Sequence, residues 1–173
     1  MRCRALAPVA ALLLALATAG SAPAREVRVG DTLPAVEVQA WNGGPVSLND
    51  LRGRVIVLDF WASWCATCRT ALPALDAIAR RHPNGIAFAA VNIDKTQVNA
   101  DRFLAEHLAQ TVMTLLRDPD GTAMAHFGAA GMPALYIVDR DGVVRFVEAG
   151  YAPEKLSAAE QAIEDILRVS PKE

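Results

Sequence analysis

The stretch RVIVLDFWASWCATCRTALP occupies residues 54–73. From Arg54 to Phe60 it is β-branched and apolar at nearly every position, the composition of a strand buried on both faces. It then places Cys65 and Cys68 three residues apart, where the strand gives way to a helix over residues 65–81 whose apolar positions Leu72, Leu75, Ile78 and Ala79 recur at helical spacing. His82-Pro83-Asn84-Gly85 is the stop signal. A cysteine at a helix start faces unpaired backbone N–H groups and the positive end of the helix dipole, which lowers its pKa from ~8.5 into a range of about 3.5–7.5. Cys68, on the same helical face, can attack a mixed disulfide formed by Cys65, so the pair can shuttle two electrons. Two other readings stand beside this one. Cys-x-x-Cys also begins zinc and copper sites, although His82, His107 and His126 supply no paired second half, and the pair could be an inert structural disulfide.

Residues 25–53 read as a lead-in containing a small hairpin: Ala35-Val36-Glu37-Val38 alternates, Gly43-Gly44-Pro45 turns, and Val46-Ser47-Leu48 returns. Beyond the cysteines, residues 86–93 form a second buried strand and residues 98–108 a second helix with the stripe Val98, Phe103, Leu104 and Leu108. A short strand over 111–116, the turn Asp118-Pro119-Asp120-Gly121 and a short helix over 122–127 follow. Strands over 134–138 and 143–147 flank Asp139-Arg140-Asp141-Gly142, a hairpin signal, and a helix over 153–169 closes the chain. A βαβ half followed by a ββα half predicts an α/β domain with a mixed sheet and helices on both faces.

The 173 residues are 53% hydrophobic and 21% charged, enough for one packed domain. With 17 basic residues against 19 acidic, no electrostatic footprint for nucleic acid is present. Residues 1–24 stand apart: a basic MRCR start, an uncharged apolar core and the small residues Ala22-Pro23-Ala24 predict a cleaved secretory signal. A retained membrane anchor is the alternative, but the apolar core is short of the ~20 residues a bilayer needs and contains Pro8. Cleavage removes Arg2, Arg4 and Cys3, leaving a 25–173 domain with 15 basic and 19 acidic residues and only Cys65 and Cys68, an even count suited to an oxidising compartment.

The segment Asp59-Phe60-Trp61-Ala62-Ser63-Trp64-Cys65-Ala66-Thr67-Cys68 resembles the active-site segment of thioredoxins. Pro73 matches the proline within that family's active-site helix, and Gly131-Met132-Pro133, followed by a strand and an Asp-Gly turn, is similar to its cis-proline loop. The signal, the long lead-in and the segment at residues 118–121 look like the extracytoplasmic TlpA/ResA-type thioredoxins, over roughly residues 30–167. The resemblance implies a thioredoxin fold, with a central mixed β-sheet flanked by helices and an N-terminal β-hairpin extension. It implies the activity of a periplasmic or secreted thiol-disulfide oxidoreductase, acting as a reductant of target disulfides.

By that resemblance Cys65 is the exposed nucleophile and Cys68 the buried resolving thiol of a redox-active disulfide. Asp59 matches the buried acid that takes or gives the Cys68 proton; desolvation near the end of a core strand would raise its pKa. Met132 and a cis-Pro133 would dock an extended substrate segment by strand addition, and Trp64 would set an apolar face beside the thiolate. Many relatives of this type carry asparagine where Asp59 stands, threonine is common where Ala134 follows the proline, and proline-containing dipeptides are usual at Ala66-Thr67. That dipeptide tunes the potential, of which 30 mV corresponds to ~1.4 kcal/mol. No cofactor or metal is implied. The implied partners are protein disulfide substrates, such as apocytochrome c haem-site thiols or copper-centre proteins, and a membrane electron donor of the DsbD or CcdA type; a monomer is expected. A peroxidase on this fold would want threonine in the place of Ala62, and a copper-delivery protein would space its cysteines by three residues and add a histidine.

Overall fold

The computed structural model describes residues 25–169; the signal expected at residues 1–24 lies outside them. Strands β1 (Glu37–Ala40), β2 (Pro45–Ser47), β3 (Val55–Trp61), β4 (Ile86–Asn92), β5 (Thr114–Arg117), β6 (Ala134–Val138) and β7 (Val144–Ala149) build one sheet in the order β2-β1-β5-β4-β3-β6-β7. The β3–β4 and β4–β5 pairs are parallel and the others antiparallel, so the sheet is mixed as the βαβ-then-ββα order predicts. The helices are α1 (Cys68–Arg81), α2 (Gln97–His107), α3 (Thr122–Phe127) and α4 (Pro153–Arg168). This is the thioredoxin fold, and the N-terminal hairpin extends the sheet through the β1–β5 pairing.

Strand β3 is buried on both sides because each face meets its own core. Val55, Val57 and Trp61 join Leu72, Leu75 and Ile78 of α1, Phe103 of α2 and Ile163 of α4. Ile56, Leu58 and Phe60 join Phe127 of α3, Tyr136 of β6 and the lead-in residues Val27, Leu33 and Val36. Each fully buried Leu, Phe or Ile contributes about 1.5–3 kcal/mol, so the continuous apolar run is what fixes β3 at the centre. On the second face Phe127 packs edge-on against Phe60 and Tyr136, with ring centroids 5.1 and 4.7 Å apart.

Several expected boundaries move. Helix α1 starts at Cys68 and not at Cys65: Cys65 N–H donates to Ala62 O and Cys68 N–H to Cys65 O in tight turns, and the first i→i+4 bond runs from Ala71 N–H to Thr67 O. Val98 drops out of the α2 stripe, being 62% exposed; Ala100 points inward instead. The strand expected at 111–116 begins at Thr114, because Thr111 and Val112 are held by the buried Asp76 carboxylate of α1, at 2.7 Å from the Thr111 hydroxyl and 2.9 Å from the Val112 N–H. The lead-in does more than form a hairpin. Its backbone docks on the opposite end of the domain, through Val27 N–H to Phe127 O at 2.9 Å and a Thr32–Val143 bridge at the start of β7.

Candidate active site

Cys65, on the loop between β3 and α1, and Cys68, at the start of α1, form a disulfide, with an S–S distance of 2.08 Å and Cα atoms 5.3 Å apart. The Cys68 backbone N–H points at Cys65 Sγ from 3.2 Å, and the Thr67 hydroxyl lies 3.5 Å from the same sulfur. On reduction, those groups and the α1 N-terminus face whatever charge Cys65 carries and favour its thiolate. Cys68, the first residue of the helix, is wholly buried, whereas Cys65 keeps 6% of its surface. Cys65 is thus less exposed than the family resemblance implies, since its sulfur is tied to Cys68 and flanked by Trp64 and Met132. It remains the only one of the two with an accessible side.

That side opens on a groove of about 470 Å³ lined by Trp64, Cys65, Thr67, Met124, Gly131 and Met132 among others. Trp64 is 66% exposed, so it is a surface aromatic and not part of the core. The Met132–Pro133 peptide bond is cis, and the Pro133 carbonyl accepts from Gly150 N–H at 2.8 Å, which ties this loop to the end of β7. Met132 lines the outer groove; Pro133 lines an inner crevice shared with Asp59.

Asp59, on β3, is 2% exposed, and neither of its oxygens has a hydrogen-bond partner among the described residues. Burial pushes its carboxyl well above the usual value near 3.8. Side chains alternate along β3, which puts Asp59 with Val57 and Trp61 on the face covered by α1, the face that also holds Cys68. Ala71, one turn beyond Cys68, lines the crevice with it.

A second polar cluster escaped the reading of residues alone. Ser63, two positions before Cys65, is clamped by the buried Asp94 just beyond β4: its N–H and hydroxyl each reach a different carboxylate oxygen at 2.8 Å. Asn92 Nδ2 donates to Asp94 at 2.7 Å, and the Arg117 guanidinium donates to the Asp94 carbonyl at 3.4 Å. Asn92 and Asp94 are 0% and 3% exposed, so their bonds are shielded from water and hold the cysteine loop firmly. The available signal was two polar residues closing an apolar strand at residues 92 and 94. Among the described residues, no group of three or more His, Cys, Asp or Glu side chains is arranged to hold a metal ion.

Comparison with known proteins places the chain. The Redoxin family profile matches residues 28–163, and the chain belongs to that family. The thiol:disulfide interchange protein DsbE of Pseudomonas fluorescens is 29% identical over 143 residues, covering 79% of this chain and 78% of that protein. The thiol-disulfide oxidoreductase ResA of Oceanobacillus iheyensis is 26% identical over 147 residues, covering 82% and 76%. A crystal structure assigned as DsbE from Chlorobium tepidum superposes with a TM-score of 0.76 at 34% identity, covering 82% of this chain and 99% of that one. Fold, cysteine pair and relatives together define a thioredoxin-like thiol-disulfide oxidoreductase of the ResA/DsbE type.

Proposed function

We propose that the protein is an extracytoplasmic reductant of protein disulfides in which Cys65 attacks and Cys68 resolves. The observation that carries this is the asymmetry of the pair: Cys65 opens on an apolar groove and is faced by the Cys68 N–H and Thr67 hydroxyl, while Cys68 is wholly buried on the sheet face that also carries Asp59, a buried carboxyl with no hydrogen-bond partner among the described residues. The Cys65 thiolate attacks one sulfur of the target disulfide, forming a mixed disulfide and expelling the other target sulfur as thiolate. Cys68 gives its proton to the Asp59 carboxylate and attacks Cys65 Sγ, closing the Cys65–Cys68 bond and releasing the second target thiolate. Two electrons leave the protein.

Trp64, Met132 and Pro133 dock the target, with an extended segment lying along the Met132 backbone. The groove's methionines and exposed indole suit apolar residues flanking the target cysteine. Reduction of the spent disulfide falls to a membrane dithiol donor of the DsbD or CcdA type, and the targets are apocytochrome c or copper-centre thiols. The signal-like residues 1–24 support a periplasmic location, and the 25–173 domain acts as a monomer. Among the described residues no helix is long and apolar enough to cross a membrane.

Insulin reduction driven by dithiothreitol tests the chemistry, and redox titration tests the direction. Activity abolished in the Cys65→Ala, Cys68→Ala variant and a potential near the −270 mV of thioredoxin fit this reading; a potential near −120 mV makes the protein an oxidant.

A further inference from the structure

Asp59, Leu135 and Glu148 lie in one row across three strands, because β3–β6 register pairs Asp59 with Leu135 and β6–β7 register pairs Leu135 with Glu148. Directly paired residues of antiparallel strands point to the same face, so both carboxyl groups share the face covered by α1 and α4. At ~4.8 Å between neighbouring strands their Cα atoms are about 10 Å apart. A cavity of about 20 Å³ lies against both, lined also by Ala71, Pro133, Lys155 and Leu156. It is large enough for one water.

The two ends of this cavity differ. At the inner end Asp59 is 2% exposed, with no hydrogen-bond partner among the described residues. At the outer end the Glu148 and Lys155 side chains are 29% and 38% exposed. Lys155, in the first turn of α4, donates to Glu148 Oε1 at 2.8 Å and to the Ala149 carbonyl at 2.6 Å, which pins the ion pair across the mouth. The charged or titratable groups lining the cavity with Asp59 are Glu148 from β7, Tyr151 from the following turn and Lys155 from α4, and Cys68 of α1 lies on the same face of the sheet; β4 and β6 pair Asp59 with Ala90 and Leu135, which are apolar. Apart from Cys68, the side chains packed on Asp59 away from this mouth, among them Ala71, Leu75 and Leu135, are apolar.

We propose that Glu148 and Lys155 form the gate through which Asp59 exchanges its proton with solvent, a role that rests on Asp59 being the proton acceptor of the resolving step. Resolution makes the Cys65–Cys68 bond, breaks the bond between Cys65 and the target, frees the target as thiolate and leaves the Cys68 proton on Asp59. The Glu148 carboxylate draws that proton off through the single water the cavity accommodates as Cys68 attacks and gives it to bulk water, while Lys155 fixes Glu148 at the mouth, so resolution goes no faster than this transfer. The freed thiolate takes a proton from water, so the cycle is balanced. Glu148 and Lys155 touch neither cysteine; they are positioning and relay residues for Asp59.

Stopped-flow reaction of the reduced full domain with Ellman's reagent separates the steps. Cys65 attack releases the first thionitrobenzoate at a rate set by reagent concentration, and Cys68 resolution releases the second at a rate independent of it. Glu148→Gln, a change at the surface that leaves the core intact, should slow the second phase roughly tenfold in dilute buffer and leave the first unchanged. Imidazole, a small proton carrier, should restore the second phase, and Lys155→Arg should keep it within about twofold of wild type. A Glu148→Gln second phase at the wild-type rate, or a slow one that imidazole does not restore, overturns the gate. Asp59→Asn run alongside separates the two claims. If it slows resolution while Glu148→Gln does not, only the gate fails; if it leaves resolution untouched, the Asp59 role fails and the gate with it.

Discussion

Asp59→Asn should stabilise the oxidised protein at neutral pH, by an amount that grows with pH. The carboxyl is buried, no hydrogen bond among the described residues reaches it, and burial pushes its pKa well above 3.8. Between the unfolded value of ~3.9 and the raised folded value, the folded state binds one more proton than the unfolded state. The stability tied to this group is therefore fully present below about pH 4, falls by about 1.36 kcal/mol per pH unit as the pH rises, and levels off only above the folded pKa. Two units into that window the loss is about 2.7 kcal/mol. Asparagine fills the same volume, does not titrate and leaves a similar unpartnered amide, so near pH 4 the two proteins should differ by no more than the ~1–3 kcal/mol that one unsatisfied buried group costs. Urea denaturation of both oxidised proteins from pH 4 to 9 measures the difference. The disulfide keeps Cys65 and Cys68 out of the titration, and ionisable groups common to both proteins cancel to first order. Stability curves that run parallel between pH 5 and 8 would refute the claim that burial raises the Asp59 pKa.

Three further outcomes follow from the packing. Asp94→Ala strips partners from the Ser63 N–H and hydroxyl and from the Asn92 amide, and should cost roughly 2–4 kcal/mol in urea denaturation; a loss under ~0.5 kcal/mol would mean the clamp contributes little. Gly128→Ala combines a φ of +61° with a Cβ only 2.6 Å from Glu26 Cα, so it should lower stability by roughly 2–4 kcal/mol by displacing the lead-in, and an unchanged melting temperature would show that the lead-in does not dock there. Trp64→Ala removes a side chain that is 66% exposed, so stability should hold within ~0.5 kcal/mol while KM for insulin rises severalfold; an unchanged KM would remove Trp64 from target docking.

The fold was legible where burial leaves a one-dimensional trace. Strands β3 and β4 stood out because both of their faces are covered, which forces an uninterrupted apolar run, and α1 showed through the spacing of Leu72, Leu75 and Ala79. The start of α1 did not show, because Thr67 makes no side-chain cap and the turn before it is held at Ser63 by Asp94, 31 residues away in the sequence. Val98 was misplaced since a single apolar residue in the first turn of an amphipathic helix carries no direction of its own. In the site, the pairing of Cys65 with Cys68 and the burial of Asp59 were readable because all three are local to one segment. The Ser63–Asp94 clamp spans 31 residues and the Asp59–Glu148 row spans three strands, so both depend on strand register, which a one-residue shift would reverse. Nothing in the local sequence encodes that register.

The central claim is that Cys65 captures the target and Cys68 releases it. Mixing a disulfide-bonded target with the reduced Cys68→Ser variant should accumulate a covalent adduct at Cys65, visible by non-reducing electrophoresis and mass spectrometry, whereas Cys65→Ser should accumulate none. An adduct found at Cys68 in the Cys65→Ser variant, with Cys68→Ser trapping nothing, would contradict the account.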